Sequence, residues 1–140
     1  HLTDLAPRIG TLMIIDDNEV DQKLCRRLVN RSGLVDNVIG FLYAEDALDY
    51  LRSQTLPAAD AILLDINMPR MDGFEFLETA TKELGERFAR VIIMMLTTSL
   101  NPSDRERARH YPVVKDYCNK PLLLEYLTRL ADQFNTEKPR

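Results

Sequence analysis

The chain has 140 residues, of which 45% are hydrophobic and 29% are charged, and it carries a net charge of -4. This length suits one compact domain with a single core, and the acidic balance argues against direct nucleic-acid binding, which needs clustered Lys and Arg. Because no apolar run approaches the roughly 20 residues that span a bilayer, and residues 1–10 lack a signal-peptide pattern, we expect a cytoplasmic protein without a membrane partner.

Short apolar runs that are typical of strands alternate with helical patterns along the chain. The strand-like runs are residues 12–15, 38–41, 61–64, 91–96 and, more weakly, 113–118. Between them and after the last one, apolar residues recur at helical spacing in residues 20–28, 44–51, 74–84 and 123–134. Cys25 lies in a helical pattern and Cys118 in a strand pattern, without metal-ligand spacing, so we expect both thiols to be free and buried.

A further helix, the fourth in chain order, is predicted from its start signals. Asn101 suits the N-cap, Pro102 suits the first helical position, and Asp104 adds an acid to the first turn. The sequence that follows, "SDRERARHY", is poor in apolar residues. We therefore expect this helix to be exposed and weakly packed.

Five strands that alternate with five helices predict a doubly wound α/β fold, in which helices cover both faces of a parallel sheet. In such folds the ligand crevice lies beyond the carboxyl ends of the strands. The side chains expected at that edge come from four strands: Asp16 and Asp17 after the first, Asp65 after the third, Thr97 and Thr98 at the end of the fourth, and Lys120 after the fifth.

Three carboxylates this close together repel one another unless a cation lies among them. Mg²⁺ prefers oxygen ligands, and together with Lys120 it balances the charges of Asp16, Asp17 and Asp65. A carboxylate in such a site can attack phosphorus and form an acyl phosphate. Phosphoryl transfer mostly needs positioning and charge neutralisation, which these residues can supply.

The segments "IIDDNE", "LLDINMPRMDGFEFL", "MLTTS" and "NKP" resemble, in order and spacing, the signature blocks of the receiver domain of two-component response regulators. The resemblance extends over about residues 12–134. It implies a flavodoxin-like sheet with strand order 2-1-3-4-5, as in single-domain chemotaxis regulators. It also implies that Asp65 is the phosphoacceptor and that Mg²⁺ is held by Asp16, Asp17, Asp65 and the backbone carbonyl of Asn67.

The same resemblance assigns roles to residues of the fourth and fifth strands. Thr97 would hydrogen-bond the phosphoryl group, Lys120 would pair with it, and Tyr117 matches the aromatic switch position. Ser99, together with the bulk of Thr98, would modulate the lifetime of the acyl phosphate. The peptide bond before Pro121 is expected to be cis, as is typical of the family.

The implied function is that of a phosphoacceptor that catalyses its own phosphorylation and slow dephosphorylation, rather than that of a conventional enzyme. A sensor histidine kinase would donate the phosphoryl group from a phosphohistidine, and the surface of the fourth helix, fifth strand and fifth helix would signal to a downstream protein. "DDNEVD" and "LTTS" resemble regulators that act with phytochrome-type kinases. The expected domain is residues 8–134, standing alone between flexible termini at 1–7 and 135–140, and a homodimer stays open.

Two other functions remain as alternatives. A haloacid-dehalogenase-like phosphatase also phosphorylates an aspartate beside Mg²⁺, but its nucleophile lies in a D-x-D pattern, whereas this sequence has Asn67 two residues after Asp65. A degenerate receiver that acts only as an interaction module would lack part of the acidic pocket, and this sequence contains each acid.

Overall fold

The computed structural model describes residues 8–54 and 58–137. Its five strands are β1 (Ile9–Ile15), β2 (Val35–Phe41), β3 (Ala61–Leu64), β4 (Ile92–Thr97) and β5 (Val114–Asn119). Its helices are α1 (Glu19–Ser32), α2 (Ala44–Ser53), α3 (Gly73–Leu84), α4 (Glu86–Ala89), α5 (Pro102–Ala108) and α6 (Leu124–Glu137).

The strands form one parallel sheet in the order β2-β1-β3-β4-β5, which confirms the predicted fold and strand order. The central strands are almost wholly buried because helices cover both faces of the sheet. Successive residues of β1 alternate between two cores: Met13 and Ile15 pack on one side, and Leu12 and Ile14 on the other. This arrangement explains why the strands read as continuous apolar runs.

The described residues contain six helices, so the prediction of five was wrong. The additional helix, α4, is a single turn that follows Gly85, whose φ of 56° ends α3. Phe88 of this turn is buried, and its ring lies 5.9 Å from that of Phe76 in an edge-on contact. One buried aromatic residue in a four-residue helix gives no periodic pattern, which is why the sequence did not reveal it.

The predicted fourth helix is α5 of the structure, and its start agrees with its sequence signals. The side chain of Asn101 accepts a hydrogen bond from the backbone of Ser103, and Pro102 is in the first turn. Ala108 is the buried residue of this helix, as expected for an exposed and weakly packed element. Cys25 and Cys118 are free and buried, which confirms that prediction.

The last helix, α6, continues to Glu137, so three of the residues predicted as a flexible terminus are helical. Residues 1–7 and 138–140 lie outside the described residues, and the domain bounds of 8–134 stay a prediction. Among the helices of the described ranges, none combines the length and apolar character that a membrane crossing needs.

Candidate functional site

Three carboxylates meet at the carboxyl edge of the sheet, as the sequence predicts. Asp16 and Asp17 follow β1, Asp65 follows the neighbouring β3, and each offers a carboxylate oxygen within 4.8 Å of the other two. Asp16 is 3% exposed and Asp65 is 7% exposed, whereas Asp17 is less deeply buried. Several carboxylate oxygens in one small volume form a donor set that fits a hard divalent cation such as Mg²⁺.

The backbone fixes the position of Asp65. Its N–H donates to the carbonyl of Ile15 at 3.0 Å, and its Oδ1 accepts a hydrogen bond from the backbone of Ile66 at 2.8 Å. Burial raises the pKa of the Asp65 carboxyl, and the charge of Asp16 adds to this effect while Lys120 opposes it. The carboxylate therefore lies in a site that favours a compensating positive charge.

Lys120 supplies positive charge at this edge. Its backbone N–H donates to the carbonyl of Thr97 at 2.9 Å, and the bond to Pro121 is cis, as expected. The ammonium lies 2.6 Å from Asp16 Oδ2 and 3.3 Å from Asp65 Oδ2. Burial alone would lower the pKa of Lys120, but hydrogen bonds to carboxylates and their charges outweigh it, so this pKa lies above its ordinary value.

Asp21 is a residue of this site that the sequence reasoning missed. Its Oδ2 lies 2.9 Å from the ammonium of Lys120, although 99 residues separate the two in the chain. An acid in the first turn of a helix is common because it favours the helix dipole, so Asp21 gave no distinctive signal. The available hint was its place in the helix that begins directly after Asp16 and Asp17. Four carboxylates therefore surround the site, one more than the sequence-based charge balance included.

The residues at the end of β4 lie beside this pocket. Thr97 is fully buried, and its Oγ1 accepts a hydrogen bond from the backbone of Ser99 at 3.1 Å. The hydroxyl of Ser99 donates to Asp104 Oδ2 at 2.5 Å. Thr98 is exposed and lines, with Asp21 and Lys120 among others, a cavity of about 290 Å³. Asn67 lies two residues past Asp65 and is exposed.

Tyr117 lies on β5, outside the acidic pocket itself. The guanidinium carbon of Arg105 lies 4.6 Å from the centre of its ring. The Tyr117 hydroxyl oxygen is buried and makes no hydrogen bond of good geometry within the described residues. Burial raises the pKa of this hydroxyl, and the neighbouring Ser99 opposes the rise.

Residues 12–132 match the response regulator receiver domain family. One curated relative, a probable methanogenesis regulatory protein, FilR2, of Methanothrix harundinacea, is 31% identical over 127 residues that cover 87% of this chain and 79% of the relative. The chain is also 26% identical to hybrid signal transduction histidine kinase L of Dictyostelium discoideum over 121 residues. This match covers 85% of the chain but only 7% of the length of that kinase.

Solved structures show the same architecture. A two-component response regulator from Cytophaga hutchinsonii superposes with a TM-score of 0.86 at 25% identity, covering 93% of this chain and 99% of that one. The bacteriophytochrome response regulator RtBRR superposes with a TM-score of 0.74 at 25% identity, covering 90% of this chain and 78% of that one. The residues that match the family, 12–132, extend from β1 into α6 and include the acidic edge. The chain belongs to the response regulator receiver domain family of two-component signalling.

Proposed function

We propose that this receiver domain, residues 8–134, accepts a phosphoryl group on Asp65 and relays the signal through a change of surface. One observation carries the proposal: the buried carboxylate of Asp65 lies beside two further acids and an ammonium. The acids can help to bind a cation, and the ammonium can bind an anionic phosphoryl group. Family membership favours this function over a haloacid-dehalogenase-like phosphatase. A degenerate receiver that only binds partners is the competing function.

Asp16, Asp17 and Asp65, with the backbone carbonyl of Asn67, are the residues that would hold Mg²⁺. The bound ion would neutralise negative charge on the transferring phosphoryl group. Asp16 would need to exchange the contact with Lys120 for the cation, since its Oδ2 faces the ammonium. Its other oxygen stays fixed by the backbone N–H of Asn18 at 2.9 Å.

In the proposed reaction a carboxylate oxygen of Asp65 attacks the phosphorus of a phosphohistidine. The P–N bond breaks, and its electron pair returns to the imidazole nitrogen of the donor. Lys120 would pair with a phosphoryl oxygen. The hydroxyl of Thr97, whose oxygen accepts a hydrogen bond from the backbone N–H of Ser99, would donate its hydrogen to another phosphoryl oxygen. In the slow return to the resting state, water attacks phosphorus, the P–O bond to Asp65 breaks, and Asp65 leaves as a carboxylate while inorganic phosphate is released. Thr98 and Ser99 would modulate the rate of this hydrolysis.

The proposed output surface comprises α5, β5 and α6, which are the predicted fourth helix, fifth strand and fifth helix. Movement of Thr97 towards the phosphoryl group would open space into which Tyr117 turns, shifting a pre-existing equilibrium between two conformations. The partner of this surface would be a downstream protein or a second copy of this chain. A cytoplasmic location accompanies the proposal as a prediction.

The proposed donor is a sensor histidine kinase, with a phytochrome-type kinase as the specific candidate. The likeness to RtBRR supports that candidate. Large apolar side chains are exposed on the two helices that flank this edge in the chain: Val20 and Leu24 on α1 are 64% and 53% exposed, and Leu124 at the start of α6 is 52% exposed. Leu24 lines the same cavity as Lys120. Such residues suit contact with the protein that carries the phosphohistidine.

The test is phosphorylation by acetyl phosphate with Mg²⁺, followed by intact mass and peptide mapping. The unaltered protein should gain one phosphoryl group on Asp65, and Asp65→Asn should gain none while its far-ultraviolet circular dichroism is unchanged. Asp46→Asn removes an exposed acid of α2 and should behave like the unaltered protein. Labelling of the Asp65→Asn protein at the same level would refute the assignment, and no labelling of any variant would favour the degenerate receiver.

A further inference from the structure

Asp21 contacts Lys120 from outside the set of acids that suit a metal. The Lys120 ammonium has three N–H bonds and three carboxylate partners: Asp16 at 2.6 Å, Asp21 at 2.9 Å and Asp65 at 3.3 Å. The side chain of Asp21 is 32% exposed, against 4% for Asp16 and 8% for Asp65. Asp21 is therefore the partner on the solvent side of the ammonium.

The three partners are not equivalent once a cation binds. Asp16 and Asp65 belong to the group that suits Mg²⁺, so a bound cation would compete with Lys120 for their oxygens. Asp21 does not belong to that group. It is the carboxylate that can retain the ammonium when the other two turn to the cation, and its charge offsets the repulsion between the two positive groups.

We propose that Asp21 is a positioning residue for Lys120. The carboxylate of Asp21 holds the ammonium at the mouth of the pocket and competes with the phosphoryl group for it. The inference rests on the proposed function of Asp65 as phosphoacceptor. Asp21 thereby has opposite effects on two binding steps: it strengthens binding of the cation, and it weakens binding of the phosphoryl group.

The charges of the site support this opposition. Four carboxylates with Lys120 and Mg²⁺ leave one net negative charge, and phosphorylation adds one more because a dianionic group replaces a carboxylate. Removing the charge of Asp21 makes the site less attractive to Mg²⁺. The same change frees Lys120 and lowers the repulsion that an incoming phosphoryl group meets.

The local structure allows the charge of Asp21 to be removed without disturbing the start of α1. The N-cap bond of α1 uses the backbone N–H of Asp21, which donates to Asn18 Oδ1 at 3.0 Å, so Asp21→Asn leaves that bond intact. Glu19 is the matched control, because it is an exposed acid in the same helical turn. Glu19→Gln removes the same charge from the same helix dipole, without a contact to Lys120 among the described ion pairs.

The experiment measures two binding constants for each variant: that of Mg²⁺ by calorimetry, and that of beryllofluoride, an acyl phosphate analogue, by fluorine NMR at saturating Mg²⁺. We expect Asp21→Asn to weaken Mg²⁺ binding about fivefold and to tighten beryllofluoride binding about threefold. Glu19→Gln should change each by less than about twofold. Asp21→Glu, which keeps the charge, should restore Mg²⁺ affinity.

The outcomes separate the inference from the proposed function. If Asp21→Asn matches Glu19→Gln, or shifts both constants in the same direction, Asp21 is only a helix-terminal acid and the inference is overturned while Asp65 keeps its role. If the unaltered protein and Asp65→Asn bind beryllofluoride equally, the proposed function fails and the inference falls with it. Opposite shifts confined to Asp21→Asn support the inference, and urea unfolding verifies that all variants fold.

Discussion

At the scale of single residues, the backbone of Asp65 packs directly against Gly73, the first residue of α3. A Cβ at Gly73 would lie 2.3 Å from the carbonyl oxygen of Asp65 and 3.0 Å from Cα of Ile66. These are backbone atoms that cannot rotate away, and the N–H of Gly73 also donates to the carbonyl of Ile66 at 2.8 Å. The glycine is needed for this close approach, since its φ is not in the left-handed region.

Gly73→Ala should therefore destabilise the fold by about 1–3 kcal/mol, as is typical of overpacking in a dense core. Helix propensity alone would predict the opposite sign, because alanine is the better helix former. Urea unfolding followed by circular dichroism measures the difference. An equally stable or more stable Gly73→Ala protein would show that the segment after Asp65 yields more easily than its contacts indicate.

At the scale of elements, α5 is held in place by side chains that reach its neighbours rather than by a buried face. Seven residues are too few for a helix that is stable alone. Arg107 places its guanidinium carbon 4.3 Å from the ring centre of Phe74 on α3, and Tyr111 just after α5 donates to Glu78 Oε2 at 2.9 Å. Arg105 lies over Tyr117 of β5. The sequence could not show these contacts, because they join residues of different elements.

Arg105→Ala should loosen α5 by removing the cation–π contact with Tyr117. An exposed contact of this kind contributes about 0.5–1 kcal/mol, so amide hydrogen exchange in residues 102–108 should accelerate about two- to fivefold. Arg109→Ala is the control, since Arg109, which follows α5 directly, is exposed and pairs only with Glu106 of that helix among the described ion pairs. Equal exchange rates in the two variants would mean that Arg105 does not restrain α5.

At the scale of the whole molecule, the segment from Thr97 to Lys120 is internally bonded and meets the acidic pocket at both ends. The backbone N–H of Lys120 donates to the carbonyl of Thr97, and the side chain of Asn119 donates to the carbonyl of Ser99 at 2.8 Å. A phosphoryl group that binds the side chains of Thr97 and Lys120 would therefore act on one connected unit, which includes α5 and Tyr117.

Hydrogen exchange with and without beryllofluoride and Mg²⁺ tests this expectation. Changes should concentrate in residues 97–120, and α2 should remain unchanged. A tenfold shift in the population of the two conformations needs about 1.4 kcal/mol of differential stabilisation. Lys120→Ala should retain some phosphorylation but lose the exchange change in this segment. Identical exchange in both states would place the switch surface elsewhere.

The sequence by itself determined the fold class and most of the acidic edge. The apolar run of β3 and the acid that ends it are local features, and hydrophobic period and chain order then predict a parallel sheet whose carboxyl ends meet. The prediction of Asp16, Asp17 and Asp65 as one cluster needed no side-chain detail, because strand ends that share an edge bring their following residues together. Strand order came from the family resemblance, and the structure confirms it.

Contacts between side chains of distant elements are set by tertiary packing and could be identified only from the structure. Asp21 resembles any acid in a first helical turn, and its contact with Lys120 depends on how α1 packs beside the loop after β5. The one-turn helix α4 likewise exists because Phe88 finds a place in the core, which no periodic pattern encodes. The hydrophobic period of a segment and the residues at its ends are local properties of a chain. The carboxylates that pair with the Lys120 ammonium are instead set by three-dimensional packing.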